Sequence, residues 1–235
     1  YSRCNNHFLT ISKDSEKYYR EVLPEKLQKI NLIPNAINLK KFQNKYKELQ
    51  KFNNKKLRLI NVGSFLPKKN QKFLLQVVAK LLEKNIDVEL ILLGDGPEKE
   101  YIIKQVKTLN LGNSIKFLGN VKNVEKELFK SDLYVHSAFY EPFGLVLVEA
   151  MAAGLPVICI NGKGNSDIIT DNYNGFILDN PSINHFTEKI ISVINNNDLY
   201  NKLSKNAFEF SKSYSIESYV DELIEWYKKI LNENK

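Results

Sequence analysis

Cysteine is scarce. The 235 residues contain two, Cys4 and Cys159, far apart and outside any His/Cys cluster of metal-ligand spacing. This excludes a disulfide-stapled scaffold and predicts reduced thiols in a cytoplasmic protein. No apolar run approaches the ~18 residues of a membrane span, and no stretch reads as a signal peptide. An Asp-x-Asp-like metal motif, an internal repeat and a long polar tail are also missing. The chain starts at Tyr1 rather than Met, which predicts a piece of something longer. With 43% hydrophobic residues, it has material for a sizeable core in one or two domains.

Acidic residues are short in one region. Residues 1–56 hold 13 Lys/Arg against 5 Asp/Glu, so the net charge of +7 belongs to that segment. It reads as solvated lysines, and contact with an anionic membrane at its inner face is the alternative. A nucleic-acid partner is not expected, because the segment has no recognisable nucleic-acid motif.

From residue 57 onward, buried-strand runs alternate with helical patterns. Strands are expected at 57–62, 88–93, 115–118, 133–136, 156–160 and 175–178. Helices are expected at about 71–84, up to 109, 124–130, from about 144, and at 183–195, 199–210 and 216–231. This alternation predicts an α/β fold, a doubly wound, Rossmann-like parallel sheet. Ligands of such sheets bind beyond the carboxyl ends of the strands, where the loops after Val62, Leu93, Leu118 and His136 converge. The N-terminal segment predicts a strand at 8–12, a helix capped by Ser12, and a strand and turn at 30–35. Lys40–Lys56 reads as a surface loop or linker. The expected division is 1–56 as an interdomain or N-terminal remnant, 57–212 as the sheet domain, and 213–235 as a C-terminal helix.

Two glutamates stand out in Glu141-Pro142-Phe143-Gly144-Leu145-Val146-Leu147-Val148-Glu149-Ala150-Met151-Ala152-Ala153-Gly154-Leu155-Pro156-Val157. Glu141 lies in a Pro/Gly loop. With a helix starting near Gly144, Glu149 is ~7.5 Å along its axis at ~1.5 Å per residue. Free N–H groups at a helix mouth favour phosphate, and carboxylates accept sugar or ribose hydroxyls. Together they suggest a nucleotide sugar.

In this order the motifs resemble the large retaining glycosyltransferase family 4 of the GT-B fold. Glu141 through Val157 matches its glutamate pair and following Ala-Met-Ala-x-Gly-x-Pro-Val. Ile33-Pro34-Asn35-Ala36-Ile37-Asn38 with Phe42 is similar to its linker signature. Asn61-Val62-Gly63 with Lys69-Asn70 resembles its first strand and phosphate loop. Gly94-Asp95-Gly96-Pro97, Phe117-Leu118-Gly119 and Asn174-Gly175 follow in order. The resemblance spans about residues 8–230, the donor-binding C-terminal half of the family's usual chain. It implies an enzyme for retaining transfer from a UDP-, GDP- or ADP-sugar to an acceptor glycan or glycolipid, in surface polysaccharide or glycolipid assembly. No cofactor and no metal are implied, and the isolated chain is expected to be inactive without an acceptor domain.

The same resemblance implies roles. Glu141 lies at the reaction centre against the donor sugar. Backbone N–H groups of Phe143, Gly144 and Leu145 contact sugar and distal phosphate, and Glu149 accepts from the ribose. Lys69 neutralises the diphosphate, Gly63 and Gly94 belong to the donor loops, and Asn120 and Val121 border the base. Ser64 stands where many members carry an arginine, which leaves Lys69, with Lys68 nearby, as the cation of that loop.

Each piece also has a plain structural reading: Gly94–Pro97 as a strand-to-helix turn, Gly162-Lys163-Gly164-Asn165 as a loop, His136 as core packing. A non-catalytic nucleotide-sugar-binding or interaction module is the alternative function.

Overall fold

A computed structural model describes residues 7–24, 29–42 and 56–233. Cys4 and positions 43–55 of the expected surface loop lie outside the described residues. The chain opens with β1 (His7–Thr10), α1 (Lys13–Val22) and β2 (Lys29–Leu32), and β1 and β2 pair in parallel as a small sheet of their own. Ser12 caps α1 as expected, its side chain accepting from the Ser15 N–H.

The main sheet is β3 (Leu57–Val62), β4 (Val88–Leu93), β5 (Ile115–Gly119), β6 (Leu133–His136), β7 (Val157–Ile160) and β8 (Gly175–Leu178). All neighbours are parallel, in the order β5-β4-β3-β6-β7-β8. Strands covered on both faces read as continuous apolar runs, and β4, β6 and β7 are buried along their whole length. Glu89 is the charged exception inside β4. Burial raises its pKa, but Lys116 at 2.6 Å and Arg58 at 3.1 Å, on the flanking strands, bring it below the ordinary value.

Helices α2 (Gln71–Glu83), α3 (Lys99–Thr108) and α6 (Ile183–Ile194) cover one face through Leu74, Leu75, Val78, Ile102, Phe186 and Ile190. Helices α4 (Val124–Leu128) and α5 (Leu145–Ala152) cover the other through Leu128, Leu147, Val148 and Met151, and α7 (Asn197–Ser211) contributes to both cores. The fold is therefore the expected doubly wound α/β sheet. Helix α8 (Ile216–Glu233) buries no residue completely and runs back to the small sheet, where Trp226 meets His7 edge-on and Glu233 holds Lys29 at 2.9 Å.

One detail differs from the sequence reading. Of the expected 40–56 loop, Lys40 and Lys41 are exposed, but Phe42 is buried in the core together with Ile37 and Leu39 just before it.

Strand order places the chain's reversal between β3 and β6. The helices that follow those two strands, α2 and α5, lie on opposite faces of the sheet, and the loop after β4 folds against the loop after β3. Gly94, at φ 123°, brings its Cα so close to the Gly63 carbonyl that a Cβ would collide with that oxygen. Gly94→Ala should therefore cost roughly 2–3 kcal/mol in denaturant unfolding, from left-handed strain plus overpacking. Gly112→Ala, where a Cβ meets nothing within 4 Å, should stay within about 0.5 kcal/mol. Equal effects at both positions would contradict the close approach.

Candidate functional site

The loops after β3 and β6 meet at this reversal. Gln71 Nε2 donates to the Ser64 carbonyl at 3.0 Å and shapes the first loop. Two bonds tie that loop to the second: Phe139 N–H to the Lys68 carbonyl at 3.1 Å, and the Ser137 hydroxyl to the Lys69 carbonyl at 2.8 Å. The chain then turns through left-handed Asn70 into α2. This joins side chains 72 residues apart in sequence: the Lys69 ammonium is ion-paired with the Glu141 carboxylate. The side chains are only 14% and 13% exposed. His136, buried at the end of β6, places Nε2 3.4 Å from the same carboxylate oxygen.

Burial works to raise the Glu141 pKa. The His136 and Lys69 contacts outweigh it and hold the carboxyl at about 2, against an ordinary 4.5. Burial lowers the His136 pKa, leaving a neutral ring.

Helix α5 begins as the spacing predicts. Gly144 at φ 85° is its N-cap, no side chain caps it, and Glu149 is its fifth residue. Helices α2, α3 and α4, which follow β3, β4 and β5, likewise lack side-chain caps, whereas α1, α6 and α7 are capped by Ser12, Ser182 and Asn196. Uncapped N–H groups are donors available to an anion. Phe143 is buried against Tyr214, and Leu145 is exposed beside the helix mouth. Glu149 is partly buried, and its carboxylate closes no ion pair or hydrogen bond among the described residues. Burial raises its pKa, more distant Lys41 counters this, and Glu125 adds to it. Tyr134 lies where the charges of both glutamates reach it, its hydroxyl 3.2 Å from the Val62 carbonyl.

The remaining expected residues spread along the same edge. Gly63 donates its N–H to the Leu93 carbonyl, and Gly94 donates to the Gly119 carbonyl, so the loops after β3, β4 and β5 are laced together. Ser64 and Asn120 are exposed, while Val121 packs on the core beneath α5.

One residue and one loop exceed their plain sequence reading. His136 is core packing and also touches Glu141. The loop at 162–165 is part of the site wall: Glu141 N–H donates to the Gly162 carbonyl at 2.8 Å, and Glu141 and Lys163 pair as an isolated parallel bridge. Gly164 has no room for a Cβ against the Pro142 backbone. The Asn165 Oδ1 is buried there without a partner. Glycines spaced two apart at the carboxyl end of a buried strand were the available signal. Lys163 and Lys68 hold Nζ 5.6 and 5.4 Å from the Tyr140 ring centre, so Lys69 is not the lone cation nearby. Among the described residues, no group of three or more His, Cys, Asp or Glu could hold a metal, and no helix is long and apolar enough to cross a membrane.

Residues 42–210 match the family "Glycosyl transferases group 1". The chain belongs to that family. An uncharacterized glycosyltransferase of Methanocaldococcus jannaschii is 36% identical over 68% of this chain and 44% of its own length. The poly(ribitol-phosphate) alpha-N-acetylglucosaminyltransferase of Staphylococcus aureus is 31% identical over 68% of the chain and 33% of its own length. The chain thus spans less than half of these relatives. Among solved structures, a mutant of S. aureus TarM in complex with fondaparinux, alpha-GlcNAc-glycerol and UDP superposes with a TM-score of 0.80 at 26% identity, covering 94% of this chain and 43% of that one.

Two titrations follow from the electrostatics. The depressed Glu141 pKa means that its stabilising contribution is complete above about 4.5 and is lost as pH falls toward about 2. Lys69→Met should move the Glu141 carboxyl resonance midpoint upward in an NMR titration, and an unmoved midpoint would remove Lys69 as a cause. Glu149 has the opposite sign, since its raised pKa makes its ionised form a cost to the fold. Glu149→Gln should raise Tm at pH 7 and lose that advantage below the ordinary glutamate range; a lower Tm at pH 7 would refute it.

Proposed function

We propose that this chain supplies the donor site of a retaining glycosyltransferase. It would take a nucleoside-diphosphate sugar and pass the sugar to an acceptor hydroxyl, in assembly of a surface polysaccharide or glycolipid. The observation that carries this is the Lys69–Glu141 pair at the reversal of the sheet, with the unpartnered Glu149 inside the uncapped helix beside it. UDP in the TarM structure supports uridine over guanosine or adenosine as the donor base.

The chemistry follows from the charges. A diphosphate entering between the uncapped helix starts competes with Glu141 for the Lys69 ammonium. Lys69 and the N–H groups of Phe143, Gly144 and Leu145 then stabilise negative charge on the departing oxygen, while Glu149 accepts from the ribose. Glu141, released from Lys69 and still held ionised, meets the sugar hydroxyls and the positive charge developing at C1. The bond from C1 to the phosphate oxygen breaks as the acceptor oxygen bonds to C1 on the same face. The acceptor proton passes to the departing phosphate.

Calorimetric titration of UDP, GDP, ADP and their sugars into the chain tests the donor site, and no heat from any of them would defeat the reading. In an active enzyme carrying the chain, Glu141→Ala should abolish transfer without loss of nucleotide affinity, since it frees Lys69 for the diphosphate. Lys69→Ala should lower kcat/KM by roughly 10²–10³-fold. Near-normal turnover of the Glu141 variant would remove its role at the reaction centre.

A further inference from the structure

The donor-site reading leaves one buried titratable group unused. His136 is 1% exposed at the end of β6, and neither ring nitrogen closes a hydrogen bond among the described residues. A neutral imidazole carries a hydrogen on one nitrogen and a lone pair on the other. Burying both without a partner costs stability, and buried polar atoms in folded proteins are nearly always bonded. Leu133 and Val135 fill neighbouring positions of the same strand without that cost. Packing alone therefore does not account for a histidine here.

The ring is placed to answer a change at Glu141. Its Nε2 stands 3.4 Å from the carboxylate oxygen that the Lys69 ammonium already holds. Burial is the largest influence against the imidazolium, Glu141 favours it, and Lys69 adds to the opposition. The other titratable groups around the ring are settled. Tyr134, with its ring centre 6.0 Å away and its plane tilted by 23°, is kept neutral by burial, and so is Cys159, which pairs with His136 from β7. Glu149 of α5 acts on Tyr134, while Lys163 and Lys68 hold their ammonium groups near the Tyr140 ring.

A diphosphate that draws Lys69 away strips a scarcely exposed carboxylate of its counter-charge. A proton can restore neutrality on the carboxyl, ordinarily at 4.5, or on the imidazole, ordinarily at 6.5. The imidazole is the stronger base, and its charge would be paired at once with Glu141, as a buried charge must be. The Tyr134 ring face gives the cation further support. We infer that His136 is the positioning residue that replaces Lys69 as the counter-charge of Glu141, so that binding of the nucleotide sugar is coupled to uptake of a proton; the inference rests on the donor-site reading above. The proton comes from solvent and stays on the ring, and Nε2–H donates to the Glu141 carboxylate. Lys69 is then free for the phosphate while Glu141 remains ionised. When the nucleoside diphosphate leaves, Lys69 returns and the proton is released.

UDP-, GDP- and ADP-glucose carry diphosphate diesters with no proton to exchange near neutrality. Calorimetry at pH 7 in buffers of different ionisation enthalpy therefore counts protons taken up by the protein. The sugar nucleotide that binds should bring in about half to one proton, and its affinity should fall by about three- to tenfold for one unit of rising pH around neutrality. His136→Gln should abolish both effects. The chain has three histidines, so ¹⁵N spectra of labelled imidazoles resolve His136 directly; its signals should move from the neutral to the imidazolium pattern on binding. Lys69→Met should produce the imidazolium pattern at pH 7 with no ligand at all. Binding without proton uptake, uptake that persists in His136→Gln, or a neutral ring in Lys69→Met each overturns the inference and spares the donor site. Silence of all three sugar nucleotides defeats the donor-site reading, and the Lys69→Met spectrum then decides the role of the imidazole by itself.

Discussion

The ion pair between Lys69 and Glu141 is the contact on which the site depends. It spans the place where two neighbouring, hydrogen-bonded strands, β3 and β6, send the helices that follow them to opposite faces of the sheet. The two backbone-directed bonds, from Phe139 to Lys68 and from Ser137 to Lys69, make the pairing rigid before any ligand arrives. Two scarcely exposed charges lose much of their hydration, and apolar residues of similar size would serve stability equally well. Their presence at the carboxyl edge points to chemistry rather than to folding.

The two glutamates differ by environment, not by type. Glu141 has a cation and a histidine against it and is ionised far below neutrality. Glu149 has burial without a contacting cation, so its carboxylate has acceptor capacity that the protein does not use. Environments that push two acids apart commonly separate their roles. A sugar-facing charge and a hydroxyl acceptor fit this division, and the step of α5 between them sets their spacing.

The N-terminal segment meets the rest of the chain at α8 and at the loop of Asp167. Of its described basic residues, Lys29 and Lys40 pair with Glu233 and Glu217 of α8, and Lys56 pairs with Asp87. Exposed pairs of this kind contribute little stability. What the segment contributes structurally is α1, held across a cavity from Tyr140 and Lys163.

Much of the fold was legible because parallel strands covered on both faces must be apolar throughout. Runs such as Val88–Leu93 and Leu133–His136 show their limits without help from partners, and amphipathic spacing did the same for α6, α7 and α8. Helix starts at 71, 124, 183 and 216 fell where the pattern put them, and the drifts of one or two residues lie mostly at the C-terminal ends, where the last turn has no sharp stop signal. The glutamate pair was legible for a similar reason: a loop acid and a helical acid eight positions apart are set by local geometry. His136 and Lys163 were not. Their significance lies in contacts with Glu141 and Tyr140 that only the folded chain makes, and a neutral imidazole or a loop lysine has no local pattern that announces such a neighbour. The sequence by itself determined which residues form strands, helices and the two acids at a helix mouth, because those follow from short-range periodicity. Only the tertiary structure decided which charges meet and which cavity they border, because strand order brings together loops that the chain keeps far apart.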